Sequence, residues 1–99
     1  MADNPNYPIG TAAVNWLDGN GQVHIRVYST DGYNVIERCW DDSGWTEGSF
    51  SQAGSSVSAT CWQVNGALSI RVYCTSEDQT VEWCTDQGGS WYQGAYSTQ

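Results

Sequence analysis

Residues 13–50, "AVNWLDGNGQVHIRVYSTDGYNVIERCWDDSGWTEGSF", lie in register on residues 59–96, "ATCWQVNGALSIRVYCTSEDQTVEWCTDQGGSWYQGAY". Trp16 answers Trp62, Arg26 answers Arg71, Tyr28 answers Tyr73, Glu37 answers Glu82, Cys39 answers Cys84 and Trp45 answers Trp91. The offset is 71 − 26 = 45 at the arginines and 91 − 45 = 46 at the last pair, so the loops differ by single residues. An internal repeat of this length suits four short strands joined by tight turns, the unit of a propeller blade.

The composition supports strands throughout. Six Trp, six Tyr and eleven Gly are distributed over short β-branched and aromatic runs separated by Gly, Asn, Asp and Ser clusters, and no stretch keeps a helical period over three turns. The fold class is therefore all-β. Strands are expected over 13–17, 22–29, 34–40 and 45–50, with counterparts over 58–64, 67–75, 80–85 and 91–96. The turns are marked by "DGNG", "STDG", "DDSG", "VNG" and "DQGGS", which supply residues that tolerate positive φ. Residues 1–10 read as an N-terminal extension, 11–54 as a first blade and 55–99 as a second, forming one domain of two repeats.

Two four-stranded blades cannot cover both of their outer faces. Each open face would be a large apolar patch, so assembly with further copies is expected. The chain has 99 residues, near the size at which a single core becomes marginal.

Charge narrows the partners. With three Lys and Arg against eleven Asp and Glu, a net charge of −8 disfavours nucleic acid and anionic lipid, both of which require clustered cations. No run approaches the roughly 18 apolar residues of a membrane span. The polar start, with Pro5 and Pro8, lacks the pattern of a secretory signal, although action outside cells or at their surfaces is the expected setting. Cys39, Cys61, Cys74 and Cys84 form no Cys-x-x-Cys pair and are accompanied by a single His. Zinc ligation fits poorly, and buried free thiols are expected. No cofactor is implied.

The three cations are Arg26, Arg38 and Arg71, and two of them occupy the identical word "IRVY". Arg26 precedes Glu37 by eleven residues and Arg71 precedes Glu82 by the same interval, which places each pair on adjacent antiparallel strands where the two can meet. A guanidinium beside a carboxylate offers planar donors and acceptors suited to neighbouring sugar hydroxyls. Trp40, Trp45 and Trp91, next to turns, provide indole faces on which the C–H face of a sugar can lie. Taken alone, a cross-strand Arg–Glu pair is more often structural, and a small β domain can use tryptophans simply as core.

Joint occurrence of I-R-V-Y, E-R-C-W-D-x-x-G-W-x-x-G, a second I-R-V-Y, E-W-C and W-x-x-G-A-Y resembles the fucose-binding lectin family of six-bladed β-propellers, over residues 11–98. The resemblance implies a trimer of two-blade chains closing a six-bladed ring, with L-fucose bound between adjacent blades and no metal. It further implies a site within the chain formed by Arg26, Glu37 and the backbone of Ser49, walled by Leu68, Ile70 and Trp91. A second site would be headed by Arg71, Glu82 and the backbone of Ala95. Trp40 and Trp45 of a neighbouring chain would complete it, with Val23 and Ile25 against the sugar methyl.

One departure stands out. Thr85 occupies the position that Trp40 fills in the first repeat, and the turn after it is one residue longer. The site headed by Arg26 is therefore expected to be weaker.

Two other functions compete with sugar binding. A glycosidase needs a second carboxylate and one carboxyl of raised pKa, whereas Glu37 and Glu82 stand near arginines that lower it, and Asp41 and Asp86 read first as turn residues. A structural or protein-binding propeller would use the arginines for folding. A calcium site is a weaker reading still, because no loop resembles an oxygen-ligand cage.

Overall fold

The computed structural model describes residues 8–98; most of the expected N-terminal extension, residues 1–7, and residue 99 lie outside the described residues. Eight strands form two antiparallel meanders. The first is β1 (Gly10–Leu17), β2 (Val23–Thr30), β3 (Asn34–Trp40) and β4 (Trp45–Ala53); the second is β5 (Ser56–Val64), β6 (Ala67–Ser76), β7 (Gln79–Asp86) and β8 (Tyr92–Ser97). Strand order within each sheet follows the chain. Trp91, expected as the first residue of the last strand, stands just before β8.

The turn residues act as their chemistry dictates. Asp18 Oδ1 accepts the backbone N–H of Asn20 at 2.8 Å and of Gln22 at 3.1 Å, closing the β1–β2 loop. Asp31 Oδ1 does the same for Tyr33 and Asn34 between β2 and β3. Asn65 and Gly66, at φ 52° and 81°, make a two-residue hairpin whose twist matches the flanking strands.

Alternation along each strand decides the packing. In the first sheet Val14, Tyr28, Val35 and Phe50 share one face, and they pack on Ile70, Val72 and Cys74 of the second sheet. The sheets are tied at their junction by Thr30 Oγ1, which donates to Gly54 O at 2.6 Å. A Cβ on Gly54 would stand 3.0 Å from both Cys74 Cβ and Val35 Cγ2, which is why the crossing needs glycine.

Because the second sheet meets the first with its Ile70–Val72–Cys74 face, its "IRVY" word is turned the other way from that of the first sheet. Tyr28 is fully buried, whereas Tyr73 is only half-buried. Phe50 is 2 % exposed and its counterpart Tyr96 is 49 % exposed. Two outer faces are left open. One carries Leu17, Ile36 and Trp45 on the first sheet, the other Trp62, Tyr92 and Tyr96 on the second, all prominently exposed.

All four cysteines are free thiols. Cys39, Cys74 and Cys84 are buried as expected, and burial pushes Cys74 up to about 11. Cys61 departs from that expectation: it is half-buried, with Sγ donating to Asn15 O at 3.4 Å at the sheet junction.

Candidate functional site

Between the sheets lies a cavity of about 250 Å³. The first sheet contributes Arg26, Glu37 and Ser49 to its lining; the second contributes Leu68, Ile70, Thr85 and Trp91. These seven residues are those named for the site within the chain. Trp16, Cys39, Gly48 and the Gly88–Gly89 turn complete the wall.

Arg26 does not pair with Glu37, contrary to expectation. Register is the reason, because Arg26 stands opposite Cys39 and it is Tyr28 that faces Glu37. The guanidinium meets Asp41 instead: Nη1 donates to Asp41 Oδ1 at 3.0 Å and to Ile25 O at 2.9 Å. Its central carbon lies over the indole of Trp16, 4.9 Å from the ring centre, a cation–π contact. Nη1 is thus engaged by protein, while Nε and Nη2 take no partner among the described residues.

Glu37 is braced separately. Tyr28 OH donates to Oε2 at 2.8 Å and Phe50 N–H donates to Oε1 at 3.3 Å. The β3–β4 ladder shifts register around Glu37, since Ile36 pairs with Ser51 but Arg38 with Glu47. Three residues of β4, Gly48 to Phe50, therefore oppose one residue of β3, and this bulge frees the backbone near Ser49 from regular pairing.

The second repeat builds the same arrangement. Arg71 Nη1 donates to Asp86 Oδ1 at 3.0 Å and to Ile70 O at 3.1 Å, and its guanidinium lies 5.0 Å above Trp62. Tyr73 OH donates to Glu82 Oε2 at 2.8 Å and Tyr96 N–H to Oε1 at 3.0 Å. The register again shifts at the Glu, between Val81 and Trp83. Ala95 lies between Gly94 and Tyr96 on the β8 side of this bulge.

This second set faces the open side of its own sheet. Val23, Ile25, Trp40 and Trp45 lie on the opposite open face, that of the first sheet, where Ile25 pairs with Trp40 and Trp40 with Trp45. The two indoles pack against each other with ring centres 5.7 Å apart. A single chain does not bring these four residues to Arg71.

Thr85 sits where the repeat would place a tryptophan, paired with Ile70 as Trp40 is with Ile25. It is 7 % exposed, and its hydroxyl donates to Gly89 O at 2.7 Å. The proton is committed to the longer turn, in which Gln87 and Gly88 adopt φ 56° and 75°. Trp91, the counterpart of Trp45, packs edge-on against Phe50 at 4.7 Å and Tyr28 at 6.2 Å.

Asp41, Asp86 and Glu82 are held as ionised acceptors. Hydrogen bonds from His24, then Arg26, hold Asp41 below the ordinary carboxylate range. Donation from Tyr92, Ser69 and Arg71 brings Asp86 down to about 2. Glu82 is likewise lowered, chiefly by the Tyr73 hydroxyl. Such groups accept hydrogen bonds well and serve poorly as general acids.

Sequence reasoning passed over Trp16, Trp62, Asp41 and Asp86 as site residues. Each recurs at its place in the repeat, Asp41 and Asp86 two residues after the matched cysteines. That recurrence was the signal available.

No family model matches the chain, and no curated protein matches it. Among solved structures it is similar to a fucose lectin from Kordia zhangzhouensis in complex with methyl-fucoside. The identity is 41 % and the TM-score 0.76, with the match covering 95 % of this chain and 70 % of that one.

Proposed function

The chain belongs to the fucose lectins, and from that membership we propose that it binds L-fucose and fucosylated oligosaccharides without transforming them. The observation that carries this reading is the cavity shared by Arg26, Glu37, Ser49, Leu68, Ile70 and Trp91. The unpartnered N–H groups of Arg26 donate to sugar hydroxyls, and Glu37 accepts from them. Ile70, Leu68 and the Trp91 ring form the apolar side against which C–H groups and the sugar methyl pack.

The second site in this reading is headed by Arg71, Glu82 and the backbone of Ala95. Val23, Ile25, Trp40 and Trp45 of a neighbouring copy close it. Its support is that the two half-sites lie on the two open faces of one chain, where head-to-tail contact between copies covers both. With residues 11–54 and 55–99 as blades, three chains make a six-bladed ring. Each site is small and open, so single-site affinity is modest and dense glycans are held by several sites at once.

Titration of the tryptophan fluorescence with methyl α-L-fucoside, set beside the L-galactoside that adds one hydroxyl to the sugar methyl, tests this reading. A saturable change with the fucoside, weakened about tenfold or more by the added hydroxyl, is expected, because the hydroxyl would be desolvated against Ile70 and Leu68. No change at high concentrations of either sugar would overturn it.

A further inference from the structure

His24 has no counterpart in the second repeat. Trp16 pairs with His24, and Trp62 pairs with Ser69 at the matching position. The imidazole is stacked on Trp16, with ring centres 5.4 Å apart and planes within 10°. Its Nδ1 lies 2.7 Å from Asp41 Oδ1 and its Nε2 lies 2.8 Å from Asp18 Oδ2.

A carboxylate oxygen can only accept. Both contacts are hydrogen bonds only while both ring nitrogens carry protons, and a neutral ring would aim one lone pair at a carboxylate. Asp18 is itself fixed by the Asn20 and Gln22 backbone N–H groups. Asp41 Oδ1 accepts from His24 and from Arg26 Nη1 together. An unbroken line of hydrogen bonds thus runs from the β1–β2 turn through Asp18, His24 and Asp41 to the guanidinium that heads the cavity.

We propose that doubly protonated His24 is a positioning residue that locks Asp41 and, through it, Arg26, so that the cavity within the chain holds fucosides more tightly in acid than in alkali. The Arg71 site lacks this response. There Asp86 is held by the Tyr92 hydroxyl, with Ser69 and Arg71. None of these changes charge over the range concerned, since the bond to Asp86 pushes the Tyr92 phenol above its ordinary value.

The charged and titratable groups on the His24 face are Asp18 and Asp41 in contact, Arg26 beyond Asp41, Tyr28 next along β2 with its phenol raised by burial, and Glu37 and Cys39 farther along β3. The second sheet turns Leu68, Ile70, Thr85, the Gly88–Gly89 turn and Trp91 to the cavity, none ionisable. The hydrogen bonds to Asp18 and Asp41 raise His24 above the ordinary imidazole value. Its contribution is therefore complete below about pH 6.5 and is lost as pH rises through the higher folded-state value. Asp18 and Asp41 are both lowered, so they stay ionised at the acid end.

The inference rests on reading the cavity as a fucoside site, and its test separates the two. Methyl α-L-fucoside is titrated calorimetrically at about pH 5 and about pH 9 into the parent, the Arg71→Ala variant and the Arg71→Ala, His24→Ser double variant. Arg71→Ala, left with the Arg26 site, is expected to bind about three- to tenfold more weakly at the higher pH. When His24→Ser, which installs the residue of the second repeat, is added to Arg71→Ala, that dependence is lost.

Binding by Arg71→Ala that is equal at both pH values, or absent at both while the parent binds, overturns this inference alone. No binding by the parent at either pH overturns the lectin reading and this inference with it. Should a variant fail to fold, the parent decides. His24 is the sole histidine of the chain, so its imidazole nitrogen resonances are unambiguous. A neutral ring at pH near 6 would contradict the proposal, and a doubly protonated one supports it.

Discussion

Gly48 lies beneath the carboxylate of Glu37, so close that a methyl group on Gly48 would stand 2.5 Å from Glu37 Cδ and 2.6 Å from Cγ. Gly94 bears the same relation to Glu82, at 2.6 Å from Cδ. The glycine of each W-x-x-G word is therefore the floor on which the glutamate carboxylate of its repeat rests.

Gly48→Ala is expected to expel Glu37 from its place beside Tyr28 and Phe50, costing about 1 to 3 kcal/mol of stability as overpacking. Fucoside binding at the Arg26 site should be lost with it. Thermal unfolding and titration of this variant check both effects, and an unchanged protein would show that the carboxylate is not where binding needs it.

The hydroxyls of Tyr28 and Tyr73 make the same 2.8 Å bond to a glutamate, in different surroundings. Tyr28 is fully buried, so Tyr28→Phe leaves Glu37 short of a partner away from water and should cost about 1 to 3 kcal/mol. Tyr73→Phe, where water can substitute, should cost less than about 1 kcal/mol. Equal losses in denaturant unfolding would contradict the burial difference.

That contrast shows what the sequence could and could not convey. Strand positions were legible because the repeat, the alternation and the turn chemistry agree: β2 runs Val23–Thr30 against an expected 22–29. Which copy of a repeated word is buried was not legible, since "IRVY" reads the same at Tyr28 and Tyr73 and only the docking of one sheet on the other separates them. Nor was the partner of each arginine. Spacing brought Arg26 and Glu37 to neighbouring strands, but register set Cys39 across from Arg26 and left Asp41, at the strand end, within reach.

Thr85 donates its hydroxyl proton to Gly89 O and supplies no indole, so the proposed Arg26 site is expected to be the weaker of the two. Restoring the first repeat's pattern, Thr85→Trp together with removal of Gly88, should return an indole wall and an N–H donor. The expected gain is about 1 kcal/mol, or roughly fivefold in affinity. Thr85→Trp with the long turn kept should gain less, since the turn fills the space. Unaltered affinity in the shortened variant would mean that Thr85 does not limit this site.

The proposed division of the Arg71 site between copies predicts complementation. Arg71→Ala removes its head and Trp45→Ala part of its wall, on opposite faces of the chain. Assembled separately, each protein should lack a working second site. Unfolded together and refolded as a mixture, they should regain a fraction of the lost binding, because some interfaces join an intact Arg71 to an intact Trp45. Mixed assemblies that recover nothing would count against a shared site.

Calorimetric titration of the parent protein with methyl α-L-fucoside in mildly acidic solution tests the central claim most directly. Saturable heat from two unequal classes of site, the weaker headed by Arg26 and together amounting to about two ligands per chain, is the predicted result. Absence of heat at high ligand would contradict fucose recognition, and a single site per chain would contradict the pairing of one sugar with each repeated arginine.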